Sequence, residues 1–157
     1  MDYLSETAIN IYKNDIKNEK YAVAADCASS AGFAMSTITS QYPSTFIFYT
    51  LNTFLGGLRL FKGYSFIPKT TGITDKLVDY ITPVAGIGAL ALSIQSFIVG
   101  EHRYCVEMIG LSTGCLGFSA SRYFRSKKSD DKYNGLSDLL KINKLKKEEG
   151  RFKWINY

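Results

Sequence analysis

The stretch that decides the fold runs from Asp26 to Arg59, DCASSAGFAMSTITSQYPSTFIFYTLNTFLGGLR, in which 32 consecutive residues carry no charge. A helix or strand of a water-soluble domain needs a wet face, so charge rarely disappears for this long. Within the run, Gln41-Tyr42-Pro43-Ser44 reverses the chain, because a proline disfavours helical geometry in the residue before it. Each arm is close to the length of about 20 residues that crosses a hydrocarbon core of about 30 Å. The stretch therefore reads as a helical hairpin in a membrane, with spans at 21–40 and 45–61.

The pattern repeats further along the chain. Another 21 uncharged residues separate Asp79 from Glu101, and 14 more run from Met108 to Ser121. These predict a second hairpin with spans at 78–99 and 104–121, joined by Gly100–Arg103, with Pro83 in the opening turns of the third span. Over all 157 residues the composition is ordinary, 46% hydrophobic and 21% charged. That average conceals apolar blocks set between polar ends. Eleven Tyr and ten Phe exclude a disordered chain, and three cysteines without a CxxC exclude a disulfide scaffold. The polar first 20 residues contain no apolar leader core.

The expected fold is an all-α integral membrane protein of four transmembrane helices arranged as two hairpins. A polar N-terminal segment, 1–20, precedes the transmembrane domain, 21–125, and a basic, partly helical, soluble C-terminal tail, 126–157, follows it. Within the tail a helix is expected from about Ser137 to Glu149, after the turn Asn134-Gly135. If both termini share a compartment, eighteen Lys and Arg fall on that side and Arg103 alone on the other. This bias places both termini in the cytoplasm, or in the matrix if the membrane is the mitochondrial inner membrane. Tyr21, Tyr42, Phe61, Tyr64, Tyr80, Tyr104, Tyr123 and Phe124 lie near the span ends, where amphipathic rings prefer to sit.

Small residues recur four apart in three spans: Ala24, Ala28, Gly32 and Ser36 in the first, Ala85 and Ala89 in the third, and Gly110 and Gly114 with Gly117 in the fourth. Such strips let helix backbones approach closely, either inside one bundle or against a partner subunit. On this reading Gly32 and Ser36 belong to the ridge, and Phe33 lies on another face. Four polar or charged residues fall inside the spans, namely Asp26, Asn52, Arg59 and Glu107. Neither carboxylate is at the midplane, where a coupled carrier would keep one. Asp26 is placed to pair with Arg59, and Asn52, in the middle of the second span, to hydrogen-bond across helices.

Enzyme signatures are absent: the chain has no GxSxG, HExxH, P-loop or GxGxxG. His102, Cys105 and Glu107 are the only neighbouring set resembling metal ligands, and an exposed loop histidine is the expected state of His102. No metal or cofactor is expected. The functional expectation is a non-enzymatic accessory or structural subunit that packs against other transmembrane chains of a larger complex. The alternative is a small homo-oligomeric transporter or channel built from two helical hairpins. Expected partners are the lipid bilayer, other transmembrane subunits or a second copy, and an anionic lipid or soluble partner at the tail; nucleic acid is not expected.

The topology is open to a direct check. In a cysteine-free background, single cysteines at Ser44 and Gly100 should label from the side opposite to the C-terminal tail. Labelling of either position from the tail side removes the two-hairpin arrangement.

Overall fold

The computed structural model describes residues 2–63, 73–128 and 135–143, with side chains from residue 10 in the first helix and from residue 76 in the third. All regular structure among these residues is helical: α1 (Asp2–Thr39), α2 (Pro43–Lys62), α3 (Ile73–Ile98) and α4 (His102–Ser126), with a short α5 over 135–143. The part of the tail beyond 143, with Trp154 and Tyr157, lies outside the described residues, as do Tyr64 and Asn134.

Helix α1 runs straight through the boundary expected at residue 20. No Gly or Pro interrupts it before Gly32, so the polar first turns simply continue the membrane-like segment. Pro43 opens α2 in its first turn, where a missing N–H costs little. Gly63 closes α2, with φ of +63° and its N–H donated to the Arg59 carbonyl at 2.8 Å. Pro83 departs from expectation. Because α3 begins at Ile73, this proline sits in the helix interior and removes the donor that would serve the Asp79 carbonyl.

The antiparallel pair α1 and α4 forms the centre, α2 packs on α1, and α3 packs on α4. Buried positions on α1 alternate steps of four and three: Asp15, Glu19, Ala22, Asp26, Ser29, Phe33 and Ser36. That alternation keeps one seam facing one neighbour, as in coiled coils, although here most seam positions are polar. Glycines line the facing surface of α4. A Cβ on Gly32 would lie 2.5 Å from the Gly114 nitrogen and 2.6 Å from the Gly110 oxygen. One on Gly110 would meet Ser36 Oγ at 2.5 Å, and one on Gly117 the Ser29 nitrogen at 2.7 Å. Ser29 Oγ donates to the Gly114 carbonyl and Ser36 Oγ to the Glu107 carbonyl, both at 2.8 Å.

The strips drawn at fixed four-residue spacing therefore need correction. Gly32, Ser36, Ala89, Gly110 and Gly114 are buried and Gly117 half-buried, but Ala24, Ala28 and Ala85 are exposed and form no part of the closed seam. Four residues turn a helix through about 400°, so such a strip drifts about 40° per step and leaves the contact face. Phe33 is also reassigned. It is buried in a cluster with Tyr49 and Cys115, and its ring is what a Cβ on Gly114 would strike.

The outer surface is the reverse of the interior. On α2, Phe46, Ile47, Phe48, Leu51 and Phe54 are exposed, and on α3, Ile81, Val84, Ile87, Leu90, Ile94 and Phe97. By composition alone only α3, over Lys76–Ile98, is long and apolar enough among the described residues to cross a membrane, with mean hydropathy 1.7. The four spans expected from the sequence are thus not all carried by hydropathy. Helices α1 and α4 fall short because one face of each is given over to Ser, Gly, Asp and Glu.

Gly32→Leu should destabilise the bundle by about 2 kcal/mol or more, since the added atoms meet backbone rather than a side chain that can rotate away. Ala28→Leu, one turn away but exposed, should be nearly silent. Thermal or detergent-induced unfolding followed by circular dichroism checks the pair, and equal effects would displace the seam.

Candidate functional site: a buried ion cluster at the basic end

Three helices bring charge together at the end of the bundle remote from the α1–α2 and α3–α4 turns. Glu19 and Asp26 lie seven residues apart on the inner seam of α1, and neither is exposed to solvent. Arg59 comes from the last turn of α2 and Arg125 from the last turn of α4. Arg125 Nη1 pairs with Asp26 Oδ2 at 2.7 Å, and Arg125 Nη2 with Glu19 Oε1 at 3.1 Å. Arg59 Nε lies 3.7 Å from Asp26 Oδ1. The expected Asp26–Arg59 pair is therefore one part of a larger cluster.

Further contacts complete the shell. Arg125 Nη1 donates to Ser121 Oγ at 2.7 Å, and Lys128 Nζ reaches Glu19 Oε2 at 2.9 Å. The guanidinium of Arg59 sits over the Phe118 ring, 4.3 Å from its centroid, a favourable place for a cation. Burial alone would push the Arg125 guanidinium down, but Asp26 and Glu19 together outweigh that effect and hold it above its usual range. Arg125 lies beyond the uncharged span that ends at Ser121.

Glu19 also holds the tail. The Gly135 N–H donates to Glu19 Oε1 at 2.7 Å. Gly135 has φ of +74°, and a Cβ there would meet the Phe61 carbonyl oxygen at 2.5 Å, so only glycine fits between α2 and α5. From this anchor α5 lays Leu139 and Ile142 against Ile16, with Val23 beside them. Leu140 remains exposed.

A cavity of about 410 Å³ opens beside the cluster, lined by Asp79, Ser119, Arg122, Tyr123, Arg125 and Ser126. Arg122 Nε donates to Asp79 Oδ1 at 2.5 Å, joining α4 to α3. A second cleft, of about 730 Å³, lies at the opposite end, where Tyr42, Tyr49, Tyr104 and Glu107 are among its walls. Glu107 and Tyr49 are buried there side by side. Arg103, the single Lys or Arg of that end among the described residues, donates from Nε to the Thr39 carbonyl at 3.0 Å and so caps α1. His102 is exposed beside Phe97, and no three His, Cys, Asp or Glu side chains converge among the described residues. Asn52 donates to the Phe48 carbonyl of its own helix at 2.8 Å rather than across to a neighbour.

Sequence reasoning placed Asp26 and Arg59 together and missed Glu19, Arg125 and Lys128. A signal existed: Glu19 and Asp26 are two turns apart, so both must lie on one helix face. The arrangement offers no nucleophile beside a base and no open coordination position. Its chemistry is electrostatic: buried opposite charges fix the ends of α2 and α4 against the middle of α1.

Removing one partner of a buried pair leaves the other uncompensated, at a cost of about 3–5 kcal/mol. Arg125→Gln should therefore lower stability strongly, while adding Asp26→Asn to it should restore a large part of the loss. Denaturation of the single and double variants measures the coupling, and purely additive losses would show that the pair is not the clamp. No protein-family model, no curated protein and no solved structure matches the chain.

Proposed function

We propose that the chain is a non-enzymatic multi-pass membrane protein whose four helices cross the bilayer as two hairpins, with both termini on the basic side. It acts as an accessory or structural subunit, and the exposed faces of α2 and α3 pack against other transmembrane chains. The supporting observation is the inverted distribution of polarity. Asp26, Ser29, Ser36, Arg59, Ser93, Ser96, Glu107 and Ser112 are buried, whereas Phe46, Phe54, Ile81, Val84, Ile87 and Phe97 are exposed. In water this arrangement wastes apolar burial and leaves large apolar side chains exposed along α2 and α3. In hydrocarbon it is the favourable one.

The height of the uncharged surface agrees. The 20 residues of α2 span about 30 Å at about 1.5 Å per residue, the thickness of a hydrocarbon core. Within the band the exposed residues of α4 are Val106, Ile109, Thr113 and Leu116, again without charge. The hydropathy deficit of α1 and α4 follows from their central place, since their polar seams face each other rather than lipid. The glycine–serine seam is already occupied inside the chain, so the partner surface falls on the large side chains of α2 and α3. The cleft that contains Glu107 and Tyr49 favours the second reading, a small homo-oligomeric transporter or channel.

Extraction in a mild detergent, followed by sizing and mass spectrometry, separates the readings. Foreign membrane subunits in constant ratio are expected, and they should be lost when Phe54 and Ile87 are replaced by Ser while the chain still resists alkaline extraction. A pure homo-oligomer replaces the subunit reading with the transporter or channel. Release by alkaline carbonate removes both.

A further inference from the structure

We propose that the cavity between α3 and α4 at the basic end is a binding site for the phosphate headgroup of an anionic phospholipid. The inference rests on the membrane reading above. It begins from position. The cavity lies where the uncharged surface gives way to exposed cations, Lys76 one turn before Asp79 and Lys127 beside Ser126. On the basic side of a bilayer this is the level of the lipid phosphates, and basic pockets between helices there attract anionic headgroups.

Charge and geometry point the same way. Two guanidiniums, Arg122 and Arg125, line the cavity against a single carboxylate, Asp79. Arg125 is locked to Asp26, Glu19 and Ser121, so its charge is met from within and it forms a fixed wall. Arg122 is differently placed. Its partner Asp79 has a side chain 52% exposed, and such surface pairs hold their partners only weakly. A phosphate offers the same planar fork more charge and two oxygens at once, so it can displace Asp79 from Arg122. Asp79 thus occupies the position that a headgroup oxygen would take.

The walls beyond the cavity select a lipid over a free anion. Deeper along α3 the exposed side chains are Tyr80, Ile81 and Val84, and on α4 the corresponding exposed residue is Leu116. These form an apolar track leading from the arginines toward the middle of the band, along which acyl chains can lie. Tyr123, exposed and lining the cavity, stands at its edge with Lys127 over its ring at 5.3 Å. This is a common setting for an interfacial aromatic.

The test uses the full chain in bilayer discs of phosphatidylcholine with phosphatidylglycerol, then native mass spectrometry of the lipid retained. Phosphatidylglycerol should be retained over phosphatidylcholine. Arg122→Gln should lower that preference about fivefold, since a basic residue near an anionic surface contributes about 1 kcal/mol. Arg122→Lys, which keeps the charge but loses the fork, should fall between. Asp79→Asn should raise retention, because it removes the competitor for Arg122. A purely structural Arg122–Asp79 pair predicts the opposite: both neutral variants would weaken retention alike, and that result overturns the proposal. Equal retention of the two lipids also overturns it, and protection from thermal unfolding by inorganic phosphate as strong as that by phosphatidylglycerol reassigns the cavity to a free anion. Alkaline extraction is run in parallel. A chain that resists extraction but shows no lipid preference refutes the headgroup site alone, whereas a chain that is extracted refutes the membrane reading itself.

Discussion

Everything in the bundle depends on how closely α1 approaches α4. At Gly32, Gly110, Gly114 and Gly117 the two helices come so near that no Cβ fits between them. Dispersion falls steeply with distance, so the attraction accumulated along this length is lost together if the helices separate. Ser29 and Ser36 use the same proximity to reach carbonyls of the opposite helix. On the proposed membrane reading, where no hydrophobic drive would push helices together, close packing and such hydrogen bonds are the sources of association. The two outer helices are then held by lighter versions of the device, with Gly56 against Ser30 on one side and Gly86 against Leu116 on the other.

The ion cluster follows from that approach. Once α1 and α4 are antiparallel and in contact, Glu19 and Asp26 must face the end of α4 that carries Arg125. Two carboxylates buried without cations would be prohibitively costly, and two arginines without carboxylates equally so. Their meeting makes the register of the pair specific. A slip by one turn would strand charges on both helices. The cluster also extends the fold beyond the bundle, because Glu19 accepts from both Lys128 and the Gly135 amide. The tail is thereby tied to α1 at a fully buried carboxylate, beside the contacts of Leu139 and Ile142 with Ile16.

The two ends of the molecule differ in kind. At the basic end charge is abundant and paired inside, with exposed lysines around it. At the other end Arg103, the lone Lys or Arg there among the described residues, caps the carbonyls of α1. The same asymmetry is visible in the sequence as a count of Lys and Arg, and the structure gives Arg103 a use.

Helical content, the two tight turns and the basic polarity of one end were legible in the amino-acid sequence. They depend on local properties: runs without charge, proline and glycine at reversals, and counts of Lys and Arg. Small residues at the seam could also be read, but their side of the helix could not. Ala28 satisfies the four-residue spacing as well as Gly32 does, and only the neighbour's position decides that it faces outward. Phe33 shows the same limit, since a large apolar side chain suits lipid and core equally until Gly114 is placed against it. Glu19 was hidden because it lies in a polar segment, where a glutamate ordinarily meets water. Its burial is decided by Arg125, Lys128 and Gly135, residues more than a hundred positions away. Sequence determined the elements and their direction, because those are set by neighbours along the chain. Tertiary structure alone decided which faces meet and which charges are buried, because those are set by neighbours across it.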